Sequence, residues 1–581
     1  NSIVALGKNA GFSQSSAANN TFIGFSAGHT TSTAGSNVYV GYQSGYNLNT
    51  THNVVIGNNA AANGLNTSDS LVVIGSEAAY NGGGGSVIAI GKQTLYRPRG
   101  NYNVAIGEQA MYGNSSTTTA QQNIAMGRRA LFSATSAQNN AALGYQAGYL
   151  TTTGYSNVFL GHETGYSNTT GAGNTHIGNQ AGYSGSTGNN TTFVGNTAGL
   201  KNTSNDNVAI GSQALLSGTS ATQITAVGRS AGKGITTGAG IVAIGHDAVI
   251  NGTAGTHNIG IGWQALYGGS GDSNRNIGIG TSTLLDITTG DSNVGVGYQA
   301  ALRVTSGGYN IAIGNSALAT ATTSTGSVAI GHNAGKETTV NETIHIGKES
   351  GYSSIGSGTV FVGHQTGYYP HGNYNTFIGW KSGKGDSSTT SAHSNVGVGA
   401  NTFTNISSGE RNVAMGYDAG KSLTTGTGST FIGYQAGEDV TTGDDNVFVG
   451  NQAGKNTTGQ YNVMIGKGAG SANTSANSLV IIGNNAAASN QTGAENVVIG
   501  FQAAYSNVSS DQNTIIGYNA AQNMTAGYNT FVGHNAGHDL TTGQYNVLMG
   551  VSAGANITGS EQNVILGAYA GRMLQASKRL I

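Results

Sequence analysis

Apolar residues recur along this chain in one short phrase: an aliphatic residue, a variable uncharged one, a second aliphatic, a glycine, and three positions later a small residue. Asn446-Val447-Phe448-Val449-Gly450-Asn451-Gln452-Ala453-Gly454 is a well-formed copy, and a polar stretch ending in Thr457-Thr458-Gly459 leads to the next, Asn462-Val463-Met464-Ile465-Gly466. From Gly7 to Gly567 the phrase occurs 34 times. These anchor glycines stand 16 or 17 residues apart nearly everywhere, 18 apart at Gly57 to Gly75 and Gly262 to Gly280, and 20 apart at Gly107 to Gly127 and Gly379 to Gly399. Self-similarity at a short fixed period marks a repeat architecture in which each unit buries its apolar face against the next. β-branched residues at alternate positions have the period of a strand, and glycine then allows a sharp turn because it takes positive φ without a Cβ clash. The unit is predicted as short strand, turn, short strand, turn. The chain is predicted as an all-β parallel β-solenoid of about 34 coils of about 17 residues. Stacked at a strand spacing of roughly 4.8 Å, such coils would make a rod of roughly 160 Å.

Position relative to the anchor decides the face a side chain takes. Three residues before it stands Val, Ile or Thr, except at Ala141, and one before it Ile, Val, Leu or Met without exception. These two are expected to face a thin core and meet the small residue three after the anchor, which is Ala, Ser (Ser44, Ser350, Ser382) or Thr (as at Thr94). The residue two before the anchor is then expected to point outward, yet it is never charged. Its size moves against that of the residue four after the anchor: Phe448 stands with Gly454, Phe431 with Gly437, Val55 with Ala61, Ala105 with Met111, Gly260 with Leu266 and Gly397 with Phe403. Large with small keeps a summed volume level, as filling one fixed space requires. Units such as Ala226 with Gly232 must borrow volume from a neighbour.

These two positions define a second buried layer. Its members Phe159, His176, Phe193, His345, Phe361, Phe377, Phe431, Phe448 and Phe531, with Leu95, Met111, Leu131, Leu266 and Phe403, are expected to form a self-association face. A cyclic bundle, most simply a homotrimer, would bury it; the alternative is a third wall of the same coil. Four before the anchor Asn recurs, as at Asn37, Asn157, Asn293, Asn446 and Asn563, either as a hydrogen-bonded ladder of stacked amides or as a turn former.

Composition narrows the partners. Only 8% of residues are charged and the formal net charge is -1, so there is neither the basic footprint of a nucleic-acid binder nor a polybasic stripe for anionic lipid. No nucleic acid is expected as a partner. No membrane insertion is expected either, because no run of 18 apolar residues occurs. The 97 Gly would suit a disordered chain, but regularly placed β-branched residues would not. Cysteine is absent, which removes disulfides and thiolate metal sites and leaves stacking to supply stability. Residues 1–571 are expected to form one continuous repeat domain, and 572–581, which leave the repeat, a cap, linker or processing end.

The string Asn-Val-Ala-Ile-Gly-x-x-Ala, at Asn103 to Ala110 and Asn207 to Ala214, resembles the head repeat of trimeric autotransporter adhesins, the YadA-like left-handed parallel β-roll. The longer form at Thr430 to Gly437, followed by Thr441-Thr442-Gly443, is similar to repeats of phage and viral tail fibres. The likeness covers nearly the whole chain but rests on this short core, and the second turn is longer than in adhesin heads. It implies left-handed coils, a homotrimer, an extracellular, cell-surface or virion-appendage location, and a non-enzymatic attachment fibre.

Candidate chemistry is sparse. The 23 acidic residues sit mostly singly in turns, as at Glu163, Asp247 and Glu349, without a recurring pair for acid–base work, so no catalytic residue, cofactor or enzyme activity is expected. Asp444-Asp445 and Gly271-Asp272 have the look of calcium turns but lack the repeat nonapeptide, and are expected to be solvated turn residues. His176 and His345 are candidates for a metal or anion site on a trimer axis, or for hydrogen-bonded interface histidines. Tyr42, Tyr145 and Tyr434 just after the anchor, with Tyr46, Tyr149, Tyr166 and Tyr183 after the second Gly, are candidate glycan-contacting turns or packing between coils. The longest turns, Ser115 to Thr119 and Asp386 to Ser391, are where a binding loop would protrude. The expected function is a structural attachment fibre of tail-fibre or surface-adhesin type that binds a cell-surface glycan or receptor. The alternative is a self-assembling extracellular filament with a structural role only.

Overall fold

The computed structural model describes residues 2–63, 69–82, 84–114, 119–252, 254–268, 273–369, 371–385, 391–572, 577, 578 and 580. Among these the regular elements are strands alone: Ile3–Leu6, Asn20–Ile23, and then three-residue strands that each end just before an anchor glycine. The chain divides into two compact units, Asn1–Ser292 and Asn293–Ile581, and each is a parallel β-solenoid. Within a unit each strand pairs with those of the coils before and after it, and like position meets like. Val158, Phe159 and Leu160 pair with Ala141, Ala142 and Leu143 on one side and with Thr175, His176 and Ile177 on the other. The longer spacings leave this register intact, since Val104 pairs with Ile124 and Thr376 with Val396 across 20 residues. The extra residues are absorbed in the turns. Those turns are tied from coil to coil as well: the Thr135 N–H donates to the Thr152 carbonyl (3.0 Å) and the Thr152 N–H to the Thr169 carbonyl (2.9 Å).

The anchor must be glycine for two reasons. Gly450 has φ +138°, and a Cβ there would lie 2.5 Å from the carbonyl oxygen of Gly466, the next anchor. Successive anchors therefore stack backbone on backbone, at a distance only a residue without a side chain permits. Beyond the anchor the chain turns through left-handed residues at the second and often the fourth position, as at Gln93 (φ 56°) and Leu95 (φ 50°). Side chains as large as Phe403 (φ 49°) adopt that conformation, and burial offsets the local strain.

The core lies on the opposite strand face from the one the alternation predicts. In every strand after the first, the residue two before the anchor is buried and the residues on either side of it, aliphatic or Thr apart from Ala141, are half-buried or exposed. Phe159, His176, Phe193, His345, Phe361, Phe377, Phe431, Phe448 and Phe531, with Leu95, Met111, Leu131, Leu266 and Phe403, are each at most 2% exposed in the single chain. They fill the interior of the coil and form no association face. A third wall of the same chain covers them, which was the alternative. The sequence could not separate the faces because both are apolar, and period two states only that they differ.

The exchange of volume holds inside this core. A Cβ at Gly454 would lie 2.6 Å from the Phe448 ring, and one at Gly260 would lie 3.4 Å from Leu266 Cδ1 and 2.6 Å from Val249 Cγ2. A third member, seven residues after the anchor, was not foreseen. Ile235, fully buried, fills the space that Ala226 and Gly232 leave, and Ile557 stands beside Leu548 and Gly554 in the same way.

The recurrent Asn forms the ladder. Asn140 Oδ1 accepts from the Asn157 N–H (2.9 Å) and from Asn157 Nδ2 (2.9 Å), while that Nδ2 also donates to the Gly171 carbonyl (2.8 Å). Asn157 Oδ1 in turn accepts from the Asn174 N–H at 2.9 Å. The same links join Asn375, Asn395 and Asn412, where Ser429 continues the run. Buried amides thus satisfy backbone groups where the chain enters the strand, at the point where unpaired N–H groups would be costly.

Candidate functional site

With the large residues inside, the outer face of the strands carries the aliphatic pairs. Ile124 (47% exposed), Met126, Leu143, Val158 and Leu160 stand in adjacent coils of the first unit; Ile311, Ile313, Ile344, Met415 and Ile465 belong to the same face in the second. No charged residue occupies either position in any strand. Ala141, the one small residue at its position, leaves a shallow apolar hollow of about 230 Å³ among Ile124, Met126, Leu143, Val158 and Leu160.

His176 and His345 do not reach any surface. His176 lies between Phe159 and Phe193, with ring centroids 5.5 and 4.7 Å away, and its Nε2 is 2.8 Å from Thr191 Oγ1. That hydroxyl spends its own hydrogen on Asn174 Oδ1 (2.6 Å), so the Nε2–H donates and Nδ1, which has no partner among the described residues, is the unprotonated nitrogen. His345 stacks on Phe361 at 5.1 Å, with Nε2 3.3 Å from Thr359 Oγ1. Burial holds both imidazoles neutral, pushing each pKa down to about 3. Enclosed in single coils, they reach neither an axis nor an interface between chains, which corrects both candidate readings, the axial metal or anion site and the interface histidine. No group of three His, Asp or Glu that could hold a metal occurs among the described residues. His371, not singled out from the sequence, is a third buried imidazole; its Nε2 donates to the Gly383 carbonyl at 2.6 Å, and burial lowers its pKa to about 4.

Gly271-Asp272 lies outside the described residues, and several of the other acidic residues work as turn acceptors. Asp444 Oδ1 takes the Thr427 N–H (2.8 Å), Glu163 accepts from Gln180 Nε2 (2.8 Å) and Glu349 from Gln365 Nε2 (2.9 Å). One run of the second turn position is a directed chain from acid to base: Glu77 accepts from Gln93, Gln93 from Gln109, and Gln109 from Arg129, at 2.8, 2.9 and 2.8 Å.

The turn tyrosines stack on one another. Tyr80, Tyr96, Tyr112, Phe132, Tyr149, Tyr166 and Tyr183 form a continuous column with centroids 4.9 to 5.5 Å apart and nearly parallel planes. Tyr42 stacks on Phe25, Tyr46 on His29, Tyr145 on His162 and Tyr434 on Tyr417. Both faces of Tyr149 and Tyr166 are covered, so these rings offer edges and hydroxyls and no face on which a sugar can lie. Packing between coils is what the column does. Of the long turns, 115–118 and 386–390 lie outside the described residues.

The larger hollows lie elsewhere, along the turn that precedes the strand. One of 540 Å³ is lined by Ile355, Gly372, Asn373, Tyr374, Ser391, His393 and Ser394, with His393 Nε2 2.8 Å from Glu410 Oε1. Two others, of 300 and 380 Å³, share Tyr155. No known protein family and no characterised protein matches the chain.

Proposed function

We propose that this protein is a non-enzymatic structural attachment fibre whose chains associate with copies of themselves through the exposed aliphatic face. The observation that carries it is that face: two side chains wide, uncharged, aliphatic at every position but four threonines in each unit and Ala141, and seventeen strands long in each unit. At roughly 4.8 Å per strand it extends roughly 80 Å within a unit. Monomeric proteins rarely expose a contiguous apolar patch larger than about 300–600 Å², and longer ones mark association. A copy of the chain is the fitting partner, because it presents the same face at the same strand spacing and with the same interruptions. A closed cyclic group, most simply a homotrimer, covers every such face at once.

The resemblance of the Asn-Val-Ala-Ile-Gly core to surface-adhesin and tail-fibre repeats supports an extracellular setting, on a cell surface or a virion. Low charge and neutral polar turns support a glycan or receptor met through hydrogen bonds and aromatic contacts. Light scattering on the purified chain tests the association. A mass of three chains of 58.3 kDa supports the fibre, open-ended polymers favour the filament, and a monomer at working concentration overturns both.

A further inference from the structure

We propose that the groove around Tyr155, on the turn preceding the strand, is a binding subsite for a neutral pyranose ring. It serves the attachment function proposed above and rests on that reading for its use, though its geometry stands apart from the association face. Tyr155 is 57% exposed, and unlike the tyrosines of the column it carries no stacked ring among the described residues. Its backbone is fixed by a bridge to Gln138 and by the Gly173 N–H donating to its carbonyl at 3.1 Å, so the ring projects from an ordered edge. It forms the shared wall of two adjoining hollows of 300 and 380 Å³.

The larger hollow opens where the next coil has Ala172 and Gly173 in place of the Gln138-Asn139 and Asn189-Asn190 pairs of the coils around it. Gly173 has φ 68°, the conformation that Asn adopts at the equivalent Asn139 and Asn190. The remaining walls are amide and hydroxyl side chains, Gln138, Asn139 and Asn190 among the amides and Thr153 and Thr170 among the hydroxyls, with no charged side chain in the lining. An exposed aromatic ring supplies a surface for the C–H face of a sugar, and flanking amides and hydroxyls both donate to and accept from its hydroxyl groups. The absence of cationic lining selects against sialylated or uronic acid sugars.

The experiment is saturation-transfer NMR and calorimetric titration of the full chain against neutral oligomers of glucose, galactose, mannose and N-acetylglucosamine, with a sialylated oligosaccharide alongside. The comparison covers Y155A, G173N and Y166A. G173N narrows the larger hollow with a residue type that holds the same backbone conformation at Asn139 and Asn190, so it gives a second reading should Y155A fail to fold. The expected result is binding of at least one neutral oligomer, weakened tenfold or more in both Y155A and G173N and changed less than twofold in Y166A. Binding of none, binding of the sialylated sugar alone, or wild-type affinity in folded Y155A or in G173N overturns the subsite. Mass measured on the same samples separates the two proposals: an associated chain that binds no sugar sinks the groove alone, and a sugar-binding monomer sinks the association alone.

Discussion

At the scale of single residues, the interior of each coil is a fixed volume shared by three positions. Phe448→Ala is expected to lower stability by about 3 kcal/mol through the cavity it leaves, and Gly454→Leu added to it to restore part of that, measured by urea unfolding. The backbone permits the rescue, since Leu holds the same left-handed conformation at Leu95 (φ 50°) and Leu131 (φ 48°). A double variant no more stable than F448A would refute the shared space. The buried imidazoles give a pH dependence whose sign follows from their depressed pKa values. The unfolded chain takes up a proton near pH 6.5 and the folded one only near 3, so the stability due to a neutral His is whole above 6.5 and is lost as pH falls toward 3. Each of His176 and His345 is expected to withdraw about 1.4 kcal/mol per pH unit in that window. His176→Phe should flatten its share of the slope in acid unfolding curves. The volume exchange was legible in the sequence because it shows as paired letters in many of the repeats, such as Phe448 with Gly454 and Ala105 with Met111. Ile235 and its equivalents were not, since their position varies among Gly, Asn, Thr and aliphatics and reads as turn.

At the scale of the element, the strand is short and its neighbours hold it. Three residues make a strand only because the Asn before it and the glycine after it are each locked to the adjacent coils. Asn157→Ala removes the acceptor of the Asn174 N–H and one of the donors to each of Asn140 Oδ1 and the Gly171 carbonyl, and is expected to cost roughly 1–3 kcal/mol. In a repeat stack whose coils touch only their neighbours, that loss should appear as faster hydrogen exchange in the two or three coils around Asn157 and not across the whole unit. Uniform acceleration would contradict the nearest-neighbour picture. Gly450→Ala meets a backbone obstacle at Gly466, so it should be worse than the Asn change, with the same local footprint. Strand, turn and period were readable from the recurrence of glycine and β-branched residues. The facing of the strand was not: period two fixes which residues share a face, and the sense of the turn beyond Gly450, set by left-handed residues such as Gln452 (φ 57°), fixes which face is enclosed.

At the scale of the molecule, turning the strand over moves the proposed site of association from the phenylalanines to the aliphatics. The phenylalanines assigned to contact between chains are the core, and the aliphatics assigned to the core are left exposed. Candidate tyrosines were likewise legible by type but not by use, because stacking from coil to coil depends on equal turn lengths in three dimensions. Tyr155 stands free because Ala172 follows where a ring would continue a column. The central claim, that copies meet across the aliphatic face, is tested most directly by cross-linking, and a chain without cysteine is a clean background. Ile465, 37% exposed on that face, and Tyr461, 59% exposed outside it, are each replaced in turn as I465C and Y461C and oxidised under dilute conditions. Covalent dimers from I465C and none from Y461C are the predicted result. An I465C chain that stays monomeric with a freely reactive thiol would contradict the association.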